Sequence, residues 1–189
     1  METNGYRYLA RPLTEEEQRA WVPLVQSMLH LLATLDDELK RGLDLSHLDY
    51  GILMLLQLDP QRRRRMTWLA TTFGVEPNII TYRVRRMEER GWVRRGRAAV
   101  DRRGVYALLT EDGLALLERA VPLHVAGVRR HFLDGVSPAQ LAVLADVFGP
   151  LHQRQLAAPA TDVSEEDPDA MGALEEHLDA MGAGAATGP

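Results

Sequence analysis

Apolar residues recur every three or four positions through most of the chain, and two short strand-like segments interrupt that pattern near its middle. Thr14 followed by Glu15, Glu16 and Glu17 marks a helix start, with acids where the helix dipole favours them. Trp21, Val25, Met28, Leu32, Leu35 and Leu39 then predict one helix of about seven turns with a single apolar stripe, ended by Gly42. Ser46 caps a second helix, with Leu48, Ile52, Leu55, Leu56 and Leu58 inward, that ends near Asp59-Pro60. Met66–Phe73 predicts a short third helix, inward through Met66, Leu69, Ala70 and Phe73 and stopped by Gly74. Pro77, tolerated in a first helical turn, opens a fourth helix whose Ile80, Val84 and Met87 share one face.

The other face of that fourth helix carries Asn78, Tyr82, Arg85 and Arg86, with Thr81 and Arg83 on its flanks. The third and fourth helices, joined across Gly74-Val75-Glu76, predict a helix-turn-helix. Residues 92–97 and 104–109 read as two short strands around a basic tip, and Arg62–Arg65 as a polar connector. A long helix follows from Thr110 to about Leu133, and Ser137-Pro138 starts another that runs to about Leu156. The expected fold is mainly α with a small β-wing: a winged helix-turn-helix flanked by N- and C-terminal dimerisation helices. The expected divisions are 1–44 (a dimerisation and ligand-pocket helix), 45–110 (the DNA-binding unit), 111–156 (dimerisation helices) and 157–189 (an acidic, disordered tail).

Charge changes the picture only once it is divided. The formal net charge of −5 suggests no affinity for a polyanion. Yet residues 157–189 hold eight acids and no Lys or Arg, which leaves 22 basic groups against 19 acids in residues 1–156. Residues 61–103 alone contain thirteen arginines and four acids. Such a local surplus is an electrostatic footprint for a phosphate backbone. No apolar run approaches the roughly 18 residues of a membrane span, and the N-terminus carries Glu2 and Arg7 rather than an apolar signal segment. The chain has no cysteine, which excludes disulfides and thiolate chemistry. A cytoplasmic, nucleoid-associated protein is the expectation.

Met66-Thr67-Trp68-Leu69-Ala70, then Met87-Glu88-Glu89-Arg90-Gly91-Trp92-Val93-Arg94-Arg95, then Asp101-Arg102-Arg103 before Leu108-Leu109-Thr110-Glu111-Asp112-Gly113, resemble the MarR family of bacterial transcriptional regulators. The likeness runs from about Leu45 to Leu133. It implies a winged-helix homodimer that binds a palindromic operator in duplex DNA, most often as a repressor. It places Asn78, Ile79, Thr81 and Tyr82 nearest the base edges and Arg83, Arg85, Arg86, Arg95 and Arg97 on phosphates or flanking bases. Arg103, beside Arg102, would enter the minor groove from the wing tip with Asp101 as its ion-pair restraint. Tyr82 stands where many members carry Arg, and Pro77-Asn78 replaces a common small or hydroxyl-rich start, so base preference does not carry over. The resemblance also implies a small aromatic or phenolic effector, with Trp21, His30, Tyr50, Met54 and Trp68 as lining candidates and Arg129 as an anion partner.

Each of these residues has a plainer role beside the functional one. Trp21 and Trp68 read first as core or interface aromatics. Arg62–Arg65 fits a phosphate clamp and a charged surface loop equally well. His124 and His131 lie two turns apart on one helix, about 10 Å by rise and too far to chelate alone. His47 and His30 have no coherent ligand spacing with nearby aspartates, so no metal and no cofactor is expected. A winged-helix module that binds protein rather than DNA is the alternative, and the arginine surplus argues against it. No Ser/His/Asp order, phosphate loop or paired-carboxylate spacing supports an enzyme.

Overall fold

The computed structural model describes residues 12–97 and 104–157. Helix α1 (Glu15–Leu43) starts in a capping box: the Thr14 hydroxyl accepts from the Glu17 backbone N–H, and the Glu17 carboxylate accepts from that of Thr14 at 2.7 Å. The helix ends one step later than the glycine suggests. Asp44, in the left-handed conformation at φ 51°, closes it, while Gly42 stays helical and leaves room for a Leu123 methyl that a Cβ there would meet at 2.8 Å. Helix α2 (His47–Gln57) is capped by Ser46, whose hydroxyl accepts from the Asp49 N–H.

The arginine run is not a connector. Arg63–Arg65 forms strand β1, which pairs antiparallel with β3 (Val105–Leu109), and β3 pairs on its other edge with β2 (Val93–Arg97). The order β1-β3-β2 joins residues some forty positions apart, so no local alternation announces β1. Between the strands lie α3 (Met66–Phe73) and α4 (Pro77–Glu89), linked through Gly74 at φ 63°, a left-handed turn that any side chain would strain.

Helix α5 (Glu111–His131) begins at Thr110, whose hydroxyl accepts from the Gly113 N–H at 3.0 Å and bonds the carbonyls of Gly91 and Trp92 at 2.6 and 2.8 Å. A Cβ on Gly113 would lie 2.0 Å from the Trp92 carbonyl oxygen, so this position holds the start of α5 against the turn before β2. The helix stops at His131, short of Leu133, and a single 3-10 turn (Leu133–Gly135) leads to α6 (Pro138–Ala157). The described residues to Gly149 make one compact unit, and those of α6 from Pro150 fall outside it.

The core of the first unit sits in its middle. Leu39, Leu45, Ile52, Leu53, Leu56, Leu69, Ile80, Val84, Met87, Val93 and Ala107 are almost wholly buried, with Leu117 and Ala120 of α5 closing the side. The inward set expected for α4 is buried, as are three of the four expected for α3, with Phe73 half-buried. The stripe along α1 divides instead. Leu35 and Leu39 are buried and Val25 is half-buried, while Trp21, Met28 and Leu32 face solvent, Trp21 at 55% exposure, as does the neighbouring Leu29. None of residues 138–149 of α6 is buried, and Val143 and Val147 are exposed.

Candidate nucleic-acid interface

Helix α4 is held by one face and offers the other. Ile80, Val84 and Met87 lock it into the core, and the spacing of 3.6 residues per turn then forces Asn78, Ile79, Thr81, Tyr82, Arg85 and Arg86 outward, where all six are exposed. The Thr81 hydroxyl donates back to the Pro77 carbonyl at 2.8 Å. Tyr82 is flanked by two guanidinium groups, Arg85 at 5.9 Å and Arg86 at 6.0 Å from its ring centre, and its hydroxyl accepts from Arg86 at 3.3 Å. The exposed face thus combines an amide, a hydroxyl, an apolar tip and a phenol with two cations. Such a mixture suits base edges and phosphates together.

The arginines separate into two groups by their partners. Arg95 belongs with Glu88: its backbone N–H and Nε donate to the two carboxylate oxygens at 2.8 and 2.6 Å, which ties β2 to α4. Those two donors, the backbone one foremost, hold the Glu88 carboxyl below its usual range. Arg83 turns toward α2 and lies 3.6 Å from Asp49, a carboxylate that burial pushes above its usual range. Arg90 pairs with Asp44 at 2.7 Å and lies over the Trp92 ring, fastening the C-terminal end of α4 to that of α1. Arg62 and Arg64 pair with Glu111 and Asp59, and Arg85 has an exposed contact with Glu89 at 3.6 Å. Arg63, Arg86 and Arg94, by contrast, have no carboxylate partner among the described residues.

Register explains where two of these three go. Leu108 pairs with Arg63 on one side and Arg94 on the other, so both arginines share the outer face of the sheet, beside Tyr106, which stacks with Arg63 and Arg65. Arg65 also donates to the Tyr106 hydroxyl at 2.8 Å. Arg94 is the basic residue missing from the candidates drawn from the sequence, although it stands beside Arg95. Only the pairing shows that Arg94 faces out while Arg95 turns to Glu88. A groove of about 550 Å³ opens between the first turn of α3, α4 and the base of the wing, lined by Arg65, Met66, Thr67, Thr81, Arg95, Gly104 and Val105. It brings Thr81 and Arg95 together. Arg97 ends β2, while Asp101, Arg102 and Arg103 lie outside the described residues.

The effector candidates are dispersed. Trp68 lies under the Arg64 guanidinium at 4.5 Å and lines an open cleft of about 490 Å³ with Asp59, Arg63, Arg65 and Tyr106; none of the other five candidates lines it. Tyr50 is buried and stacks on His124 at 4.3 Å, and Met54 is half-buried against the core. Trp21, His30 and Arg129 are exposed on α1 and α5. The structure also joins two histidines that no sequence pattern connects: the Nε2 atoms of His47 and His124 are 3.1 Å apart. A pair 77 residues apart leaves no periodic signal.

No helix among the described residues is long and apolar enough to cross a membrane. A sequence model described as "MarR family" matches residues 43–104. The crystal structure of Sco3205, a MarR family transcriptional regulator from Streptomyces coelicolor in complex with DNA, is 36% identical, with a TM-score of 0.71 over 75% of this chain and 89% of that one. AbsC, a MarR family transcriptional regulator from the same organism, is 35% identical, with a TM-score of 0.72 over 79% of this chain and all of that one. The HTH-type transcriptional regulator PecS of Dickeya dadantii is 40% identical over 55 residues, 29% of this chain and 33% of PecS. The chain thus spans between a third and a half of the length of the curated relatives it matches. Fold, motif order and similarity across nearly the whole of two solved relatives agree: the chain belongs to the MarR family of transcriptional regulators.

Proposed function

We propose that the protein binds duplex DNA sequence-specifically as a homodimer and represses the promoters it covers. The observation that carries this reading is the exposed face of α4, where Asn78, Ile79, Thr81, Tyr82, Arg85 and Arg86 stand clear while the opposite face is fixed in the core. In the major groove, Asn78 and Ile79 would meet base edges first, with Tyr82 behind them, and Arg85 and Arg86 would take phosphates. Arg85 gives up only an exposed ion pair to do so, which costs little in water. Arg83 and Arg95 act indirectly in this reading, by holding α4 to α2 and to the wing. The wing tip, with Asp101, Arg102 and Arg103, would follow the adjacent minor groove.

Two half-sites about one helical turn apart require two copies of α4. The uncovered residues of α1 (Trp21, Met28, Leu29 and Leu32) and of α6 (Val143, Val147 and Phe148) supply the apolar surface that a second copy would bury. Ligand relief, as the family resemblance suggests it, would act at the seam between α2 and α5, where Tyr50 lies, by favouring a spacing that no longer matches successive grooves. A cytoplasmic, nucleoid-associated location follows from the same reading. Selection of bound duplexes from randomised oligonucleotides, followed by affinity measurements across a salt series, tests it. A palindromic site with steep salt dependence is expected. Binding without sequence preference, or without salt sensitivity, would overturn it.

A further inference from the structure

His47 and His124 face each other across the seam between α2 and α5, with their Nε2 atoms 3.1 Å apart. Both positions are fixed from several sides. His47 is the first residue of α2, and its backbone N–H donates to Asp36 of α1 at 2.7 Å, a carboxylate that also pairs with Lys40 at 2.6 Å. Tyr50, one turn further along α2, lays its ring on His124 at a centroid distance of 4.3 Å. Both imidazoles are half-buried.

The spacing has a chemical meaning beyond a hydrogen bond. Two imidazole nitrogens bound to one first-row divalent ion, at about 2.0–2.1 Å each, lie about 2.9 Å apart at a right angle and about 3.3–3.4 Å apart at the tetrahedral angle. The observed separation falls between those limits. Burial also pushes both imidazoles down from their ordinary range, toward the neutral form that ligates. We propose that His47 and His124 form a two-histidine site for a first-row divalent transition ion such as zinc, nickel or copper, with water completing its coordination. No group of three or more ligating side chains occurs among the described residues, so the site is open and its ion exchangeable, unlike the closed four-ligand sites that hold structural zinc.

The site's position gives it a regulatory meaning. One ligand comes from α2, which packs against the helix-turn-helix, and the other from α5, the long helix beside it. An ion held by both pins these elements together. The site goes beyond the DNA-binding reading and does not depend on it.

The test uses tag-free, chelator-treated, full-length protein. Titration with Zn²⁺ or Ni²⁺ followed by calorimetry should show one ion per chain. His47→Gln and His124→Gln should each abolish that binding. His131→Gln, at an imidazole that faces Glu38 at 2.9 Å instead, should bind as the unsubstituted protein does. Thermal melting establishes that each variant is folded. With Cu²⁺ on the unsubstituted protein, electron paramagnetic resonance should show hyperfine coupling to two imidazole nitrogens, a readout that needs no substitution. A spectrum with fewer than two, or one-per-chain binding that survives in a folded His47→Gln/His124→Gln double variant, would overturn the proposal.

Discussion

The helix-turn-helix with its sheet and the helices at the two ends of the chain are built from similar amounts of apolar sequence, yet they use it differently. In the first region each helix closes its apolar face within the chain: Ile80, Val84 and Met87 of α4 and Leu69 and Ala70 of α3 are buried, and the face left over is polar and cationic. In the second, α1 leaves Trp21, Met28, Leu29 and Leu32 in water, and α6 leaves Val143, Val147 and Phe148 there. Exposure of a polar, basic face is compatible with a monomer waiting for DNA. Exposure of an apolar stripe from Trp21 to Leu32, about 17 Å along α1, is what the proposed second copy would cover. The same helical periodicity therefore supports stability in one region and points to assembly in the other.

The largest expected effect lies in that contrast. Ile80→Ala should cost about 2–5 kcal/mol of folding stability, as removing a fully buried side chain does, measured by chemical denaturation. Leu32→Glu should leave the first unit folded and instead separate the copies. Light scattering should then give the 21.2 kDa chain mass, against about twice that value expected for the unsubstituted protein if it forms the proposed dimer. An Ile80→Ala protein of unchanged stability, or a Leu32→Glu protein that stays dimeric, would break the division between the two regions.

A second contrast concerns neighbouring arginines. Arg94→Ala should weaken DNA binding by about 1–3 kcal/mol or less and lower the salt slope by about one phosphate contact. Arg95→Ala should change the slope little, because Glu88 already neutralises that charge, and should loosen the wing instead. Equal slopes for the two variants would show that the carboxylate does not sequester Arg95. Arg86→Ala should behave as Arg94→Ala does, with an added loss of sequence preference if Tyr82 relies on it for position.

Glu88 also gives a pH dependence with a definite sign. Its carboxyl is held below the usual glutamate range, so the fold gains stability from it at pH values above that range. That stability is lost as pH falls through the lowered value. Glu88→Gln should flatten the acid limb of a stability–pH curve, and an unchanged limb would remove Glu88 from the account. The smallest effect should come from Arg62→Ala. Its pair with Glu111 is well exposed on both sides, and less than about 1 kcal/mol is expected by denaturation.

Much of the fold was legible in the chain because caps and glycines are local signals. Thr14, Ser46, Thr110 and Pro77 each start a helix where their chemistry predicts, and Gly74 stops α3. The outward face of α4 was legible for the same reason, since helical spacing fixes which residues share a side. Strand β1 was not, because an arginine run becomes a strand only when β3 supplies its partner forty residues later. The separate fates of Arg94 and Arg95 were hidden too, since adjacent strand residues face opposite ways and only the register tells which way is out. The effector candidates share no local signal, and the fold distributes them over four helices.

By itself the sequence determined the order of the helices and of the two wing strands, most of the helix starts, the helix that faces outward and the concentration of positive charge around it. These depend on interactions among residues a few positions apart, which any chain makes before it finds its fold. Tertiary structure alone decided which arginines are already neutralised, that β1 exists, and that His47 meets His124. Those outcomes depend on distances across the core, and spacing along a chain carries no information about a partner on another element.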